Sequence, residues 1–175
     1  MGPAAAFGQV ILAVIFGWSA ILKFRGFDVF RRHLRDTAPV LPALAAYMAP
    51  VVIGGELCIT ASLLIPPFYW IGLLLAEVSL AGFTGYLIYL MRTRPTVSCG
   101  CSGTKGDPVS WVHVVRNVTL MLVGGVSGWA MMQAHSLSLA YYLVLVPPGT
   151  AIGVMLFNLN AVTMFFFGTG NIRRV

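Results

Sequence analysis

The sequence has few charged side chains. Of its 175 residues, 11 are Lys or Arg and 5 are Asp or Glu, so charged residues make up 9% of the chain, against about 25% in a typical soluble domain. This scarcity excludes a water-soluble enzyme, a disordered region and a secreted disulfide scaffold. With 58% hydrophobic residues and a mean hydropathy of +0.87, the chain is predicted to have lipid as its main solvent.

A net charge of +6 does not indicate a nucleic-acid partner. The basic residues fall in short clusters between long apolar runs, and they form no basic face interleaved with aromatic residues. In a membrane protein, such clusters set the orientation of the chain in the bilayer.

Five long apolar stretches are predicted to cross the bilayer as α-helices, because only helices satisfy the backbone in lipid over runs of this length. Their approximate bounds are 3–22, 47–65, 68–91, 111–133 and 141–168. The last stretch contains Pro147-Pro148, so it either starts near Tyr141 with a kink or starts at Gly149 after an interfacial piece. The expected fold class is an all-α polytopic membrane helix bundle, in one domain covering 1–175.

Two polar loops are predicted, over 23–46 and 92–110, and Phe27–Leu34 in the first has the pattern of a short amphipathic helix. All 11 basic residues lie in these loops, at the start of the fourth span or in the C-terminal tail. If the chain crosses the bilayer five times, both loops, the start of the fourth span and the C-terminal tail lie on the same side of the membrane. The positive-inside rule then predicts a bacterial plasma membrane protein with its N-terminus outside and its C-terminus in the cytoplasm.

The most specific local motif is Cys99-Gly100-Cys101 in the second polar loop. Gly100 permits a turn that brings the two cysteines within disulfide reach, and so small a ring is expected to be strained, labile and oxidising. Nearby basic side chains favour the reactive thiolate. The motif therefore suggests thiol–disulfide exchange, with a metal-binding pair or two unrelated free cysteines as alternatives. Cys58, in the second span, is either a small buried hydrophobe or a resolving thiol for this pair.

Two of the five acids, Glu56 and Glu77, lie near the middle of the second and third spans, which a Pro-Pro turn folds into a hairpin. A charged side chain at that depth costs at least about 2.5–3.5 kcal/mol. The pair is a candidate for proton handling or for binding a cofactor or substrate group. The alternative is a structural role with Arg116, Lys23 or a hydroxyl as partner. No spacing specifies a cofactor, which stays unassigned.

The fourth span begins with a polar face. His113, Arg116 and Asn117 are three and four residues apart, so they share one side of the helix next to the cysteine loop. His113 and Arg116 are predicted to tune the thiols, His113 by exchanging a proton near neutral pH. The alternative is an interfacial histidine with a snorkelling arginine.

Small residues recur at four-residue spacing in the apolar stretches. The pairs Gly124/Gly128 and Gly149/Gly153 permit close approach of helices. Such Gly-rich faces also suit packing against the helices of another protein in a hetero-oligomer.

An ordered set of residues carries a resemblance to a known family. In chain order they are Ser19-Ala20-Ile21-Leu22-Lys23, Phe27, Phe30, Leu41-Pro42, Ala49-Pro50, Glu56-Leu57, Cys99-Gly100-Cys101-Ser102-Gly103, Ser110-Trp111 and Arg116-Asn117. Over roughly residues 8–130 the chain resembles the MauE family of methylamine-utilisation proteins, which is related to DoxX-like membrane proteins. Ser102 stands where that family has an aromatic residue.

The resemblance implies a four-helix DoxX/MauE-like core followed by a fifth, C-terminal transmembrane helix. It also implies a role in the maturation of exported redox proteins, with a thioredoxin-like or other membrane redox protein as partner. The charge count puts the cysteine loop in the cytoplasm, which suits electron transfer from a reducing donor, whereas exported proteins are oxidised outside. On the residues alone, a transporter or metal carrier with two thiolate ligands and a non-catalytic assembly subunit are competing functions.

Overall fold

A computed structural model of the chain describes residues 2–38, 42–93, 110–133 and 139–158. These residues form six α-helices and one short 3-10 turn, with no β-strand among them. The helices are α1 (Pro3–Arg25), α2 (Phe27–Thr37), α3 (Pro42–Leu64), α4 (Tyr69–Thr93), α5 (Trp111–Met132) and α6 (Leu139–Phe157), and the turn Pro66–Phe68 joins α3 to α4.

Helices of the expected length and hydropathy occupy four of the five expected membrane spans. The helical segments long and apolar enough to cross a bilayer are Pro3–Arg25, Tyr47–Leu64, Pro66–Thr93 and Trp111–Met132. At the position of the expected fifth span, α6 contains a shorter apolar helix, Val144–Phe157, and the remaining positions 159–168 lie outside the described residues. The fold is therefore the expected all-α polytopic membrane bundle.

The last apolar stretch starts at its earlier expected position. α6 begins at Leu139 and continues as one α-helix through Pro147 and Pro148. Of the two starts left open by the sequence, near Tyr141 or at Gly149, the structure therefore has the first.

The segment 23–46 is mostly helical, which corrects the expectation of a polar loop. α1 continues to Arg25, where Gly26 separates it from α2, and α3 has already begun at Pro42. The chain therefore passes from α1 to α3 through an extra helix of 11 residues instead of an irregular connection.

The amphipathic pattern read at Phe27–Leu34 is confirmed, and the helix extends to Thr37. Phe30 and Leu34 are buried against Ala49 and Ile53 of α3. Because the opposite side of α2 carries charged residues, the helix buries one apolar stripe against the bundle and leaves its polar side outward.

The first helix is central to the bundle. α1 packs against α3, α5 and α6, and it contributes the largest share of the main core, which it forms with α3, α4 and α5. The Gln9 amide donates to the carbonyl of Leu63 and the Ser19 hydroxyl donates to Glu56. The later residue of α1 thus contacts the earlier residue of α3, so the two helices are antiparallel.

The glycine pair of α6 packs against α1, as its spacing indicated. A Cβ at Gly149 would lie 2.9 Å from Val10 Cγ1, and one at Gly153 would lie 3.1 Å from Val14 Cγ1. Absent side chains therefore let the two backbones approach closely. The later glycine of α6 meets the later valine of α1, so the two helices run parallel.

The glycine pair of α5 packs against α4. A Cβ at Gly124 would overlap the carboxylate of Glu77, and one at Gly128 would lie 3.0 Å from Leu73 Cδ2. Both GxxxG pairs are thus used inside the chain. At Gly85 of α4, by contrast, a Cβ would meet nothing within 4 Å, so this glycine makes no close helix contact within the described residues.

Candidate functional site

A buried ion pair joins α1 to α3. Lys23 Nζ contacts Glu56 Oε1, and the two side chains are 5% and 13% exposed. Lys23 also donates to Ser19 Oγ at 2.7 Å, and Ser19 Oγ donates to the same Glu56 oxygen at 3.0 Å. Ser19 and Lys23 are four residues apart, so α1 presents both on the face that meets α3. Glu56 therefore has the structural partners that the sequence offered as one alternative.

The polar face of α5 is turned into the bundle. His113, Arg116 and Asn117 are 7%, 8% and 1% exposed, so the predicted shared face is confirmed. Arg116 Nη2 donates to Asn117 Oδ1 at 3.3 Å, and Asn117 Nδ2 donates to Thr84 Oγ1 of α4 at 3.3 Å. These bonds fix α5 to α4 where the polar face begins.

Arg116 carries a buried positive charge beside Lys23. The two like charges repel one another, and the ion pairs found among the described residues leave Arg116 out. Its guanidinium carbon lies 5.9 Å from the centre of the Phe157 ring of α6, which offers a cation–π contact. Its Nε atom is buried and makes no hydrogen bond within the described part of the chain.

Lys23, Glu56 and Arg116 line one cavity of about 630 Å³. Five helices contribute to its wall, from α1 to α5. Its polar lining is confined to a few side chains, and most of the wall is apolar, including Phe16, Leu80 and Leu120. Such a volume and polarity are typical of a site for a small, largely apolar molecule.

The interfacial helix α2 covers part of this cavity. His33 and Phe30 line it from α2, and the hydroxyls of Thr37 and Tyr86 hydrogen-bond to link α2 with α4. Burial lowers the pKa of His33, because it disfavours the charged imidazolium, and the nearby Asp36 carboxylate opposes that shift. His33 is thus expected to be mainly neutral at neutral pH.

Glu77 lies apart from Glu56. Its carboxylate meets Gly124 of α5, in a separate shallow groove that it shares with Trp70 and Trp129. The structure therefore does not bring together the two intramembrane carboxylates that the sequence combined as one candidate proton or ligand site.

The cysteines are at different places in the fold. Cys58 is a free thiol exposed on α3, so the expectation of a small buried hydrophobe is wrong at this position. Cys99 and Cys101 lie outside the described residues, between Thr93 at the end of α4 and Ser110 at the start of α5. These two helices are antiparallel neighbours, so Thr93 and Ser110, which flank the cysteine-containing segment, lie at the same end of the bundle.

Some polar residues of the site were not identified from the sequence. Ser19, His33, Thr84 and Tyr86 all contact the buried polar groups or line the cavity. For Ser19, the four-residue spacing to Lys23 was an available signal. The other three carry no signal in sequence, since their roles depend on which helices become neighbours.

The comparisons with known proteins bear on this arrangement. The "Methylamine utilization protein MauE" of Paracoccus versutus is 32% identical to the chain over 113 residues, which is 62% of this chain and 60% of that relative. The chain thus matches somewhat less than two thirds of the relative's length. No solved structure matches the chain.

A family model described as "Methylamine utilisation protein MauE" matches residues 1–132. The matched region contains α1 to α5, and with them the buried ion pair, the α5 polar face and the cysteine loop. The chain belongs to the MauE family.

Proposed function

We propose that this membrane protein carries out thiol–disulfide exchange with Cys99 and Cys101 as the reacting pair. The protein would act as an accessory factor in the maturation of redox or exported proteins. The observation that carries the proposal is the attachment of a loop with two closely spaced cysteines to two firmly joined helix ends, α4 and α5, at one end of the bundle.

The proposed exchange uses both thiols in turn. The thiolate of one loop cysteine attacks a sulfur of a partner's disulfide, that S–S bond breaks, and the partner's other sulfur leaves as a thiolate. The second loop cysteine then loses its proton and attacks the mixed disulfide. This releases the partner as a dithiol and joins Cys99 to Cys101. Two electrons pass from the loop pair to the partner, and a reduced partner reverses every step.

His113 and Arg116 are the proposed tuning groups for this chemistry. Both lie in the first two turns of α5, next to the attachment point of the loop, and both are buried. A fixed positive charge stabilises a nearby thiolate relative to the thiol. Because Arg116 is held by Asn117, its charge has a defined position relative to the loop attachment.

The biological setting follows from the relatives. The curated relative is named for methylamine utilisation, and we propose the same setting for this chain, with a thioredoxin-like protein or another membrane redox protein as the exchange partner. Cys58 is exposed on α3, so any role as a resolving thiol would require a partner that reaches the lipid-facing side of the bundle.

The proposed orientation places the N-terminus outside and the C-terminus and cysteine loop in the cytoplasm, in the plasma membrane of a bacterium. It follows from the basic residues collected at one end of the bundle. The direction of α6 supports it, because a helix parallel to α1 leads towards the same end as Lys23 and Arg25.

Cysteine trapping tests the exchange. We expect Cys101→Ser or Cys99→Ser to accumulate a mixed disulfide with a partner, seen as a reducible band on a non-reducing gel of methylamine-grown cells. Cys58→Ser is the matched control and should leave the band unchanged. Full support of growth on methylamine by the Cys99→Ser/Cys101→Ser variant, with no trapped species in either single variant, would overturn the proposal.

A further inference from the structure

The cavity under α2 has more positive than negative charge. Its walls carry Lys23 and Arg116, but Glu56 is the one carboxylate that lines it among the described residues. Lys23 and Glu56 neutralise each other as a contact pair. The charge of Arg116 is then left over, on a side chain that is 8% exposed.

The other acids of the chain do not neutralise this charge within the described structure. Asp28 lies 3.5 Å from Arg31 on the surface of α2, and Asp36 is exposed on the same helix. Glu77 lies in the separate groove beside α5. Of the five acids in the sequence, Asp107 is the remaining one, and it lies outside the described residues.

A buried cation without a counter-ion is costly in a membrane interior, where such groups are normally paired. Arg116 keeps an unused Nε–H within the described structure, and its guanidinium can bind carboxylate or phosphate oxygens with two parallel hydrogen bonds. Among the described residues, no second carboxylate lies at the polar end of the cavity to accept from Arg116.

The rest of the cavity suits a hydrocarbon body. Most of its lining is apolar, and Val51, Gly55, Ser79 and Gly82 are lining residues that are also exposed on the outer faces of α3 and α4. The cavity thus opens sideways between these two helices. In a bilayer, this opening faces lipid chains.

We propose that this cavity binds an amphiphile with one anionic head group, a carboxylate or a phosphate, held by Arg116 beside Lys23, and with its hydrocarbon chain leaving between α3 and α4. Fatty acids and anionic phospholipids share this chemistry. The site shares Arg116 with the proposed thiol exchange but uses neither loop cysteine, so its test works equally in the Cys99→Ser/Cys101→Ser variant.

Two glycines at the opening allow a test that spares the fold. A Cβ added at Gly82 meets nothing within 4 Å, and the same holds at Gly85, which is equally exposed on α4 but does not line the cavity. Gly82→Leu therefore fills the opening, whereas Gly85→Leu adds the same side chain to the same helix outside it. The pair serves as test and matched control.

The binding measurement uses the purified full-length protein in detergent with cis-parinaric acid, a fluorescent fatty acid, and its methyl ester, which has the same chain without the charge. We expect the acid to bind at least about tenfold more tightly than the ester, as a charge-assisted hydrogen bond implies. Arg116→Gln should remove that preference. Gly82→Leu should weaken binding by about tenfold or more, and Gly85→Leu should leave it unchanged.

Defined outcomes overturn the proposal. Equal binding of acid and ester, or an unchanged preference in Arg116→Gln, would mean that no anion is recognised. If Gly82→Leu leaves binding of the fatty acid as strong as Gly85→Leu does, the probe has partitioned into the micelle and does not occupy the cavity. If the acid binds only once Asp107→Asn is introduced, the chain's own Asp107 fills the position and the proposal fails. Competition by phosphatidic acid, set against competition by oleic acid, identifies which head group is preferred, and inorganic phosphate alone should not compete.

Discussion

Lys23 and Glu56 depend on each other because their side chains are only 5% and 13% exposed. Removing one partner leaves the other as an uncompensated charge, and its burial then costs more than the pair ever contributed. Ser19 shares in this balance, since its hydroxyl accepts from Lys23 and donates to Glu56. The three side chains act as one polar unit that connects α1 to α3.

We expect Glu56→Gln and Lys23→Met each to lower the free energy of unfolding by about 3–5 kcal/mol. The double variant should recover much of that loss, because no charge is then left alone. Thermal unfolding in detergent micelles, followed by tryptophan fluorescence, measures the coupling. Glu77→Gln is the control, since Glu77 is outside the ion pairs found in the described residues. Additive effects of the two single changes would contradict the pairing.

At the level of single residues, the sequence predicted which side chains need a polar partner better than it predicted which residues contact each other. The depth of Glu56 in an apolar run indicated that it needs a partner, and Lys23 and a hydroxyl were among the partners considered. That Lys23 turns inward could not be read from its place at the end of an apolar stretch, where lysine usually snorkels to the interface. The inward direction depends on α3 being adjacent to α1.

The α3–α4 hairpin shows how closely the helices approach. A Cβ at Gly72 of α4 would lie 2.8 Å from the backbone nitrogen of Leu63 and 2.9 Å from the carbonyl carbon of Ser62. Both atoms belong to the α3 backbone, so neither can move aside as a flexible side chain would. The close approach of α3 and α4 after the turn at Pro66–Phe68 therefore requires glycine at position 72, since any side chain would clash with the α3 backbone.

Gly72→Ala should destabilise the bundle by about 1–3 kcal/mol, because the added methyl group forces the α3 and α4 backbones apart. Gly85→Ala is the matched change on the same helix. It meets open space and should be neutral or stabilising by up to about 1 kcal/mol, since alanine is the better helix former. The unfolding midpoint in detergent compares the two, and equal effects would show that the α3–α4 contact is looser than described.

At the level of elements, the membrane spans could be predicted, and the connection between the first two could be predicted only in part. Long apolar runs indicate helices in lipid almost by themselves, which is why four spans appear close to their expected bounds. The segment from Lys23 to Tyr47 is polar on average, and polarity alone does not distinguish a loop from an interfacial helix. The apolar spacing of Phe30 and Leu34 was the decisive local signal.

Within the described residues, the basic side chains collect at one end of the bundle, where α1 ends, α2 lies, α4 ends and α5 begins. α1, α4 and α6 run towards the basic end, and α3 and α5 run away from it. The relative directions of the described helices are therefore compatible with a prediction that rests on the distribution of basic residues over the complete sequence and not on any one helix.

Labelling with a membrane-impermeant maleimide in right-side-out membrane vesicles tests the orientation. In a chain with all three native cysteines changed to serine, we expect Gly2→Cys to react from outside. In a chain that keeps Cys99 and changes the other two, the thiol should react only after the vesicles are opened. The reverse pattern would show that the cysteine loop faces outside and that the positive-inside rule gives the wrong orientation here.

The central position of α1 has a consequence for how the protein is made. Chains are synthesised from the N-terminus, so α1 is made before its packing partners α3, α5 and α6. Lys23 can form its ion pair only after Glu56, 33 positions further along the chain, has been synthesised. Until then its ammonium group is best solvated at the membrane surface. Closure of the ion pair thus marks the stage of biogenesis at which α1 can settle to its final depth, and the remaining helices then assemble around it.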